Sequence, residues 1–227
     1  MKTSDELLLT TPWFPALPQR LQDGIRNDVR LMIVEAGGYV CRRGDASRCW
    51  FGVVDGLIKV CNTSSDGRLM TFAGLPPGAW FGEGTVLKSE PWHYDAIALR
   101  PSRIACLPSA SFFRLLDEDI AFTRFLLEHV NERLGQFMAT LQSDRLTEPA
   151  LRVANCLLVM FNARLYPLGN VEIQLTQEEI GYLCGVTRQK VNLAVRRMET
   201  LGLLSVSYGR VTVTDLAGLR RFATRTP

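Results

Sequence analysis

Only two histidines, His93 and His129, occur in the 227 residues, and none of the six cysteines forms a Cys-x-x-Cys spacing. The clustered ligands of a zinc or iron–sulfur centre are therefore missing. So is a His-x-His pair that would suit a metal-dependent barrel enzyme. There is no nucleophile elbow and no glycine-rich phosphate loop, Gly82-Glu83-Gly84 being too short to count as one. An enzymatic reading finds no support, and no cofactor follows from the residues. No stretch approaches the roughly 20 apolar residues of a membrane span. Met1 to Thr11 lacks the basic start and small-residue cleavage site of a signal peptide. These absences predict a cytoplasmic protein without membrane contact, its cysteines free thiols packed among apolar neighbours. Cys49, between Arg48 and Trp50, is the thiol to check for a lowered pKa.

What is present is ordinary globular composition, 47% hydrophobic and 22% charged, in a chain long enough for two cores. Its charge is uneven: residues 1–144 carry 15 Lys plus Arg against 17 Asp plus Glu, net −2, and residues 145–227 carry 11 against 6, net +5. A basic C-terminal part suits a polyanionic partner. Leu17, Leu21 and Ile25 predict a short amphipathic helix between Trp13 and Asp28. From Arg30 to Pro108 short apolar runs alternate with turn signals: Ala36-Gly37-Gly38, Gly44-Asp45, Asp55-Gly56, Asp66-Gly67 and Pro76-Pro77-Gly78. Val53–Val60 reads as two strands joined at Asp55-Gly56, and Lys59–Ala73 as a hairpin turning at residues 63–67. Many short strands predict a sandwich or small barrel.

The texture then turns helical. Ser109–Leu116 forms a short helix, and Asp117-Glu118-Asp119 places negative charge at the start of a longer one, from about 118 to 145. Leu116, Ile120, Thr123, Leu127, Val130, Leu134, Phe137 and Leu141 step by four and three, a coiled-coil-like seam suited to a second copy of the chain, with part of it also expected on the barrel. Such a helix is roughly 40 Å long. Thr147-Glu148-Pro149 caps the next helix, which places a domain boundary near 144–147. The division is 1–108, a β domain with its N-terminal helix; 109–146, the short and long helices; and 147–227, a C-terminal domain.

Within that last part, Thr176 and Glu179 form a capping-box pattern. Ile180 and Leu183 share a face, Gly185 allows a left-handed helix end, and Thr187 caps a second helix. Along it Val191, Val195, Met198 and Leu201 face inward, while Arg188, Gln189, Asn192 and Arg196 face out, flanked by Lys190 and Arg197. Two helices joined this tightly make a helix-turn-helix. Leu203–Ser207 and Arg210–Thr214 around Gly209 follow as a hairpin wing. A helix of this kind fits the DNA major groove, where arginine bonds guanine, Gln or Asn bonds adenine, and an apolar side chain touches a thymine methyl. Lys190 and Arg210 are placed to meet phosphates.

The fold expected is α+β: an N-terminal jelly-roll β-barrel resembling cyclic-nucleotide-binding domains, a long dimerisation helix, and a C-terminal winged helix-turn-helix. With Gly44-Asp45, Val54-Asp55-Gly56, Trp80-Phe81-Gly82-Glu83 and Leu175–Gly202, that order of parts resembles the catabolite activator/FNR (Crp/Fnr) family of bacterial transcription regulators. The resemblance implies a homodimer that binds DNA, responds to a signal in the β domain and contacts RNA polymerase. It places Arg188 at a guanine contact and Thr176 at a phosphate. Gln189 stands where the family has a glutamate, and Leu193 where it has a second base-reading arginine, so a different half-site is implied.

In the sensor half, Gly82-Glu83 matches the pair that holds the ribose of a cyclic nucleotide. The family's phosphate-holding Arg-Ser falls on Tyr94-Asp95, or on His93-Tyr94 without a gap. The polar pair that meets the purine falls on Phe137-Met138. A fixed positive charge is thus replaced and apolar surface gained. The effector expected is small and apolar or aromatic rather than cyclic AMP, within a site of Gly82, Glu83, His93, Tyr94, Asp95, Phe137 and Met138. The alternatives are redox sensing, gas sensing through haem, or a cyclic nucleotide held by an altered clamp using Lys88 or Arg100.

Overall fold

Short antiparallel strands build two four-stranded sheets around one apolar core. In the computed structural model, which describes residues 3–63, 69–144, 148–167 and 172–224, the first sheet runs β1 (Arg30–Val34), β8 (Ser102–Pro108), β3 (Cys49–Asp55), β6 (Trp80–Phe81). The second runs β2 (Tyr39–Cys41), β7 (Asp95–Ala98), β4 (Ile58–Thr63), β5 (Leu69–Leu75). Val53, Phe81 and Ile104 of the first pack with Ile58, Val60 and Ala96 of the second, the alternating pattern of a β-sandwich core. The two strands joined at Asp55-Gly56 are not a hairpin: β3 and β4 lie in different sheets. Gly56 turns the corner at φ +105°, and a Cβ there would sit 2.1 Å from Ser102 Oγ, so only glycine fits. β4 and β5 do pair, from Ile58 opposite Leu75 to Thr63 opposite Leu69; their expected turn at 63–67 lies almost wholly outside the described residues.

Helices close one side of the sandwich. α1 (Ser4–Thr10) starts with a capping box between Thr3 and Glu6, an element the sequence reading passed over. α2 (Gln19–Asp28) follows, and α4 (Ser109–Glu118) returns beside it. Their buried faces enclose Trp13, Phe14, Trp50, Trp80, Phe112 and Phe122, with Trp50 and Trp80 ring centroids 4.4 Å apart. α3 (Glu83–Lys88) is a short helix carried at the end of β6.

Asp119 ends α4 and starts α5 (Ile120–Asp144), its carboxylate accepting the Phe122 N–H at 2.6 Å. At 1.5 Å per residue, 25 residues reach about 37 Å. α5 carries two stripes with the same four-three step. Phe122, Leu126, His129, Arg133 and Gln136 are buried against the barrel. Ile120, Leu127, Val130, Leu134, Phe137 and Leu141 are exposed. Part of the seam packs on the barrel as expected, through Leu116, which lies against the core of Trp50, Trp80 and Leu107; past the half-buried Thr123, a different stripe does so.

α6 (Pro149–Met160) has Pro149 in its first turn and Glu148 as its cap; Thr147 and the boundary at 145–147 lie outside the described residues. β9 (Glu172–Gln174), α7 (Gln177–Cys184), α8 (Arg188–Thr200), β10 (Leu204–Ser207), β11 (Arg210–Val213) and α9 (Leu216–Ala223) complete the chain. The wing is a three-stranded sheet, β10-β11-β9. Leu157, Ile180, Val191, Val195, Met198, Val211 and Phe222 share a second core. Leu201, expected inward, is exposed, because α8 ends before it and Gly202 takes a left-handed turn at φ +68°.

Candidate DNA-reading face and buried sensor site

The reading face is built by two caps and two glycines. Thr176 Oγ1 accepts the Glu179 N–H at 3.1 Å, and Glu179 Oε2 accepts the Thr176 N–H at 2.8 Å. Gly185 ends α7 at φ +60°. Gly181 lets α7 approach the turn, since a Cβ there would lie 2.7 Å from the Val186 carbonyl. Thr187 caps α8 through the Lys190 N–H. With Val191, Ala194, Val195 and Met198 buried, the helix presents Arg188, Gln189, Lys190, Leu193 and Arg196 to solvent. Leu193 is 68% exposed, a large apolar side chain on a polar face. Asn192 is half-buried and donates to Gln177 Oε1 at 3.1 Å, tying the two helices together. Arg197 is ion-paired with Glu148.

At the wing, Arg210 is exposed and bonds Glu172 across the sheet at 2.8 Å. Tyr208, at the tip, is fully exposed with φ +48° beside Gly209 at φ +74°. Gly209 lies next to Thr176, its carbonyl accepting the Leu175 N–H at 2.8 Å. The tip thus belongs to the same side as the α7 start. Tyr208 was missed in the sequence, where nothing marks a tyrosine before glycine as exposed.

The sensor residues divide differently. Gly82 takes φ +94° against the Trp92 ring and delivers Glu83, at the start of α3, into the protein interior. Tyr94 lies nearby, hydrogen-bonded to Thr85; burial, then the Glu83 charge, pushes its phenol upward, so it stays neutral. His93 is turned to the surface and pairs with Glu90 at 3.1 Å. Asp95 Oδ1 accepts the Arg43 N–H at 2.8 Å, holding the turn after β2. Phe137 and Met138 are 38% and 57% exposed and lie one step round the helix from the buried stripe. Phe137 lines a cleft of about 700 Å³ between β5, α6 and α7. The structure thus brings Gly82, Glu83 and Tyr94 together, and places His93, Asp95, Phe137 and Met138 elsewhere.

Their place beside Glu83 is taken by residues the sequence reading did not single out. Arg133 Nε stands 3.6 Å from Glu83 Oε1, and His129 Nε2 3.9 Å from the same oxygen. Arg133 also donates to the Trp80 carbonyl at 2.7 Å and to Tyr166 Oη at 3.2 Å. Burial holds His129 below its ordinary value of 6.5, although the Glu83 charge opposes this. Lys88 pairs with Glu90, and Arg100 with Glu179 of α7, so neither is a phosphate clamp beside Glu83. Among the thiols, burial pushes Cys49 upward, so its pKa is not lowered. Cys184 is the one held down, by a hydrogen bond from Cys156 and then by Arg152, against its own burial.

A family model described as a cyclic nucleotide-binding domain matches residues 31–119, and one described as a Crp-like helix-turn-helix domain matches 151–222. The chain belongs to the Crp/Fnr family of transcription regulators. It is 29% identical over 185 residues to the transcriptional regulator LdrP of Thermus thermophilus, covering 80% of this chain and 90% of the relative. It is 26% identical over 183 residues to the cyclic AMP receptor protein of the same organism, covering 80% and 82%. The fold of FixK2 from Bradyrhizobium japonicum superposes with a TM-score of 0.70 at 20% identity, covering 88% of this chain and 99% of that one. This Crp/Fnr protein is a DNA-binding transcription regulator with a cyclic-nucleotide-binding-like jelly roll. No helix among its described residues is long and apolar enough to cross a membrane.

Proposed function

We propose that this regulator is a cytoplasmic homodimer that places its two α8 helices in successive major grooves of one operator, and that its barrel half senses a small apolar or aromatic molecule. The observation that carries the dimer is the exposed stripe from Ile120 to Leu141 on a helix whose buried side chains Phe122, Leu126, His129, Arg133 and Gln136 form another stripe. Six large apolar side chains in a four-three step are what a second helix of the same kind buries. Arg188, Gln189, Leu193 and Arg196 then read base edges, Asn192 holds α8 to α7 through Gln177 rather than facing outward as expected, and Thr176, Thr187, Lys190 and Arg210 fix the register on phosphates. RNA polymerase is the further partner expected at the promoter. Footprinting on a selected operator tests this reading: two protected half-sites about 34–36 Å apart are expected, and a single protected site would sink it.

The effector reading is supported by the surroundings of Glu83. Among the described residues the cation close to it is Arg133, which comes from α5 and is already engaged by the Trp80 carbonyl and Tyr166. Tyr94 and Asp95 offer a cyclic phosphate no positive charge. Cyclic AMP and cyclic GMP at millimolar concentration are expected to change neither the melting temperature nor DNA affinity. A ligand at about 100 times its dissociation constant stabilises by about 2.7 kcal/mol, so a clear thermal shift with either nucleotide would overturn the reading.

A further inference from the structure

One face of α6 turns toward the cleft that α6 shares with α7 and β5. Arg152, Cys156 and Met160 follow one another at steps of four, so they share that face, and all three line the cleft of about 700 Å³. Cys184, the last residue of α7, lines it too. The two thiols touch: Cys156 donates a hydrogen bond to Cys184 Sγ, and Cys184 donates to the Ile180 carbonyl at 2.8 Å. Arg152 reaches the same place, its Nη2 donating to the Cys184 carbonyl at 2.8 Å.

The polar side chains of the cleft wall are Thr71, Arg152, Asn155 and Tyr182, so no carboxylate or imidazole stands among the described residues that line it. What it offers a metal is therefore sulfur. Zn(II) and iron–sulfur clusters accept thiolates but ask for about four ligands. Cu(I), the soft ion that thiolate and thioether ligands select, is satisfied by two. Thiols already in hydrogen-bond contact are close enough to share one ion. One Cu(I) displaces two thiol protons and forms two copper–sulfur bonds, which leaves one net negative charge. Such a charge in an apolar cleft needs a cation beside it, and Arg152 stands there.

We propose that Cys156 and Cys184 form a two-thiolate site for Cu(I), with Arg152 balancing its charge. The ion joins α6 to the end of α7, next to the Gly185 turn that leads to α8. The site is separate from the surroundings of Glu83 and holds whatever the barrel senses.

The test titrates Cu(I) into the reduced full-length protein, free of oxygen, against the chelator bathocuproine disulfonate. One Cu(I) per protomer is expected to be withheld from the chelator, with a thiolate-to-copper charge-transfer band in the ultraviolet. Cys156→Ser and Cys184→Ser should each weaken binding at least about a hundredfold, since loss of even a supporting group costs up to that. Cys49→Ser with Cys106→Ser, which removes two neighbouring thiols of the barrel, should leave it unchanged. Excess Zn(II) should not displace the ion. In the wild type, Cu(I) should also slow the alkylation of Cys156 and Cys184 by N-ethylmaleimide, read residue by residue by mass spectrometry. That measurement decides the matter if a serine variant fails to fold. No Cu(I) withheld, binding that survives Cys184→Ser or is lost in the barrel double variant, displacement by Zn(II), or alkylation unchanged at Cys156 and Cys184 would each overturn the proposal.

Discussion

Arg133 and Arg188 carry the same guanidinium into opposite surroundings. Arg133 is buried in the sensor, where it meets Glu83, the Trp80 carbonyl and Tyr166. Arg188 opens α8 on the surface. A buried cation costs several kcal/mol in desolvation and holds its place only because its partners replace water. An exposed one costs almost nothing until DNA arrives. At these two sites the barrel half keeps a guanidinium inside, as part of folding, and the helix-turn-helix half keeps one outside.

The sharpest break in that comparison is Arg133→Met, which leaves Glu83 buried without its cation. A loss of about 3–5 kcal/mol in unfolding free energy is expected, read by denaturant melts, and Glu83→Gln in the same chain should restore much of it. A melt unchanged by Arg133→Met would show that the pair contributes nothing. The two stripes of α5 are separated next. Val130→Glu with Leu134→Glu puts charge on the exposed stripe and should leave the fold intact while yielding monomers in sedimentation. Operator affinity should fall by about a hundredfold or more, as the second half-site is lost. A dimer that survives both substitutions would place the interface elsewhere.

On the surface side, Arg188→Ala should leave the melting temperature alone and cost about 1–3 kcal/mol on the operator, relaxing preference at one base pair. Lys190→Ala should weaken all sequences alike and reduce the salt slope by about one. If Arg188→Ala keeps the ratio of operator to random-DNA affinity, it does not read a base. The smallest effect concerns His129. Its folded pKa lies below the ordinary 6.5, so the unfolded chain binds the proton first as pH falls. The contribution of neutral His129 is complete above 6.5 and is lost progressively below it. His129→Gln should flatten that part of the stability profile between pH 7 and 5; an unchanged profile would assign the slope to other groups.

The reading half was almost wholly legible because its signals are local. The Thr176–Glu179 box, Gly185 and the Thr187 cap lie within a dozen residues and are found as expected. β9 escaped notice because its three residues become a strand only by pairing with β11. In the barrel the strands were readable and their partners were not: Asp55-Gly56 signals a turn, but only Ser102, far along the chain, makes it a corner between sheets. The sensor was the least legible part. His129, Arg133 and Gln136 continue the step of Phe122 and Leu126, a phase that was available in the sequence but hidden by its polarity. Tyr166 carried no signal at all, since its partners lie 30 and 33 residues away.

All four tryptophans, Trp13, Trp50, Trp80 and Trp92, lie in the sensor half, and this sets what light can report. Trp13, Trp50 and Trp80 form one cluster, with ring centroids 4.4 to 5.6 Å apart. At such separations excitation is shared, so their emission and near-ultraviolet circular dichroism describe the cluster rather than any one ring. Trp92 stands apart, stacked on Phe51 at 5.6 Å and pressed against Gly82. Tryptophan fluorescence of this protein is therefore blind to events confined to α7, α8 and the wing. A spectral change on adding DNA would mean that the signal had crossed into the barrel.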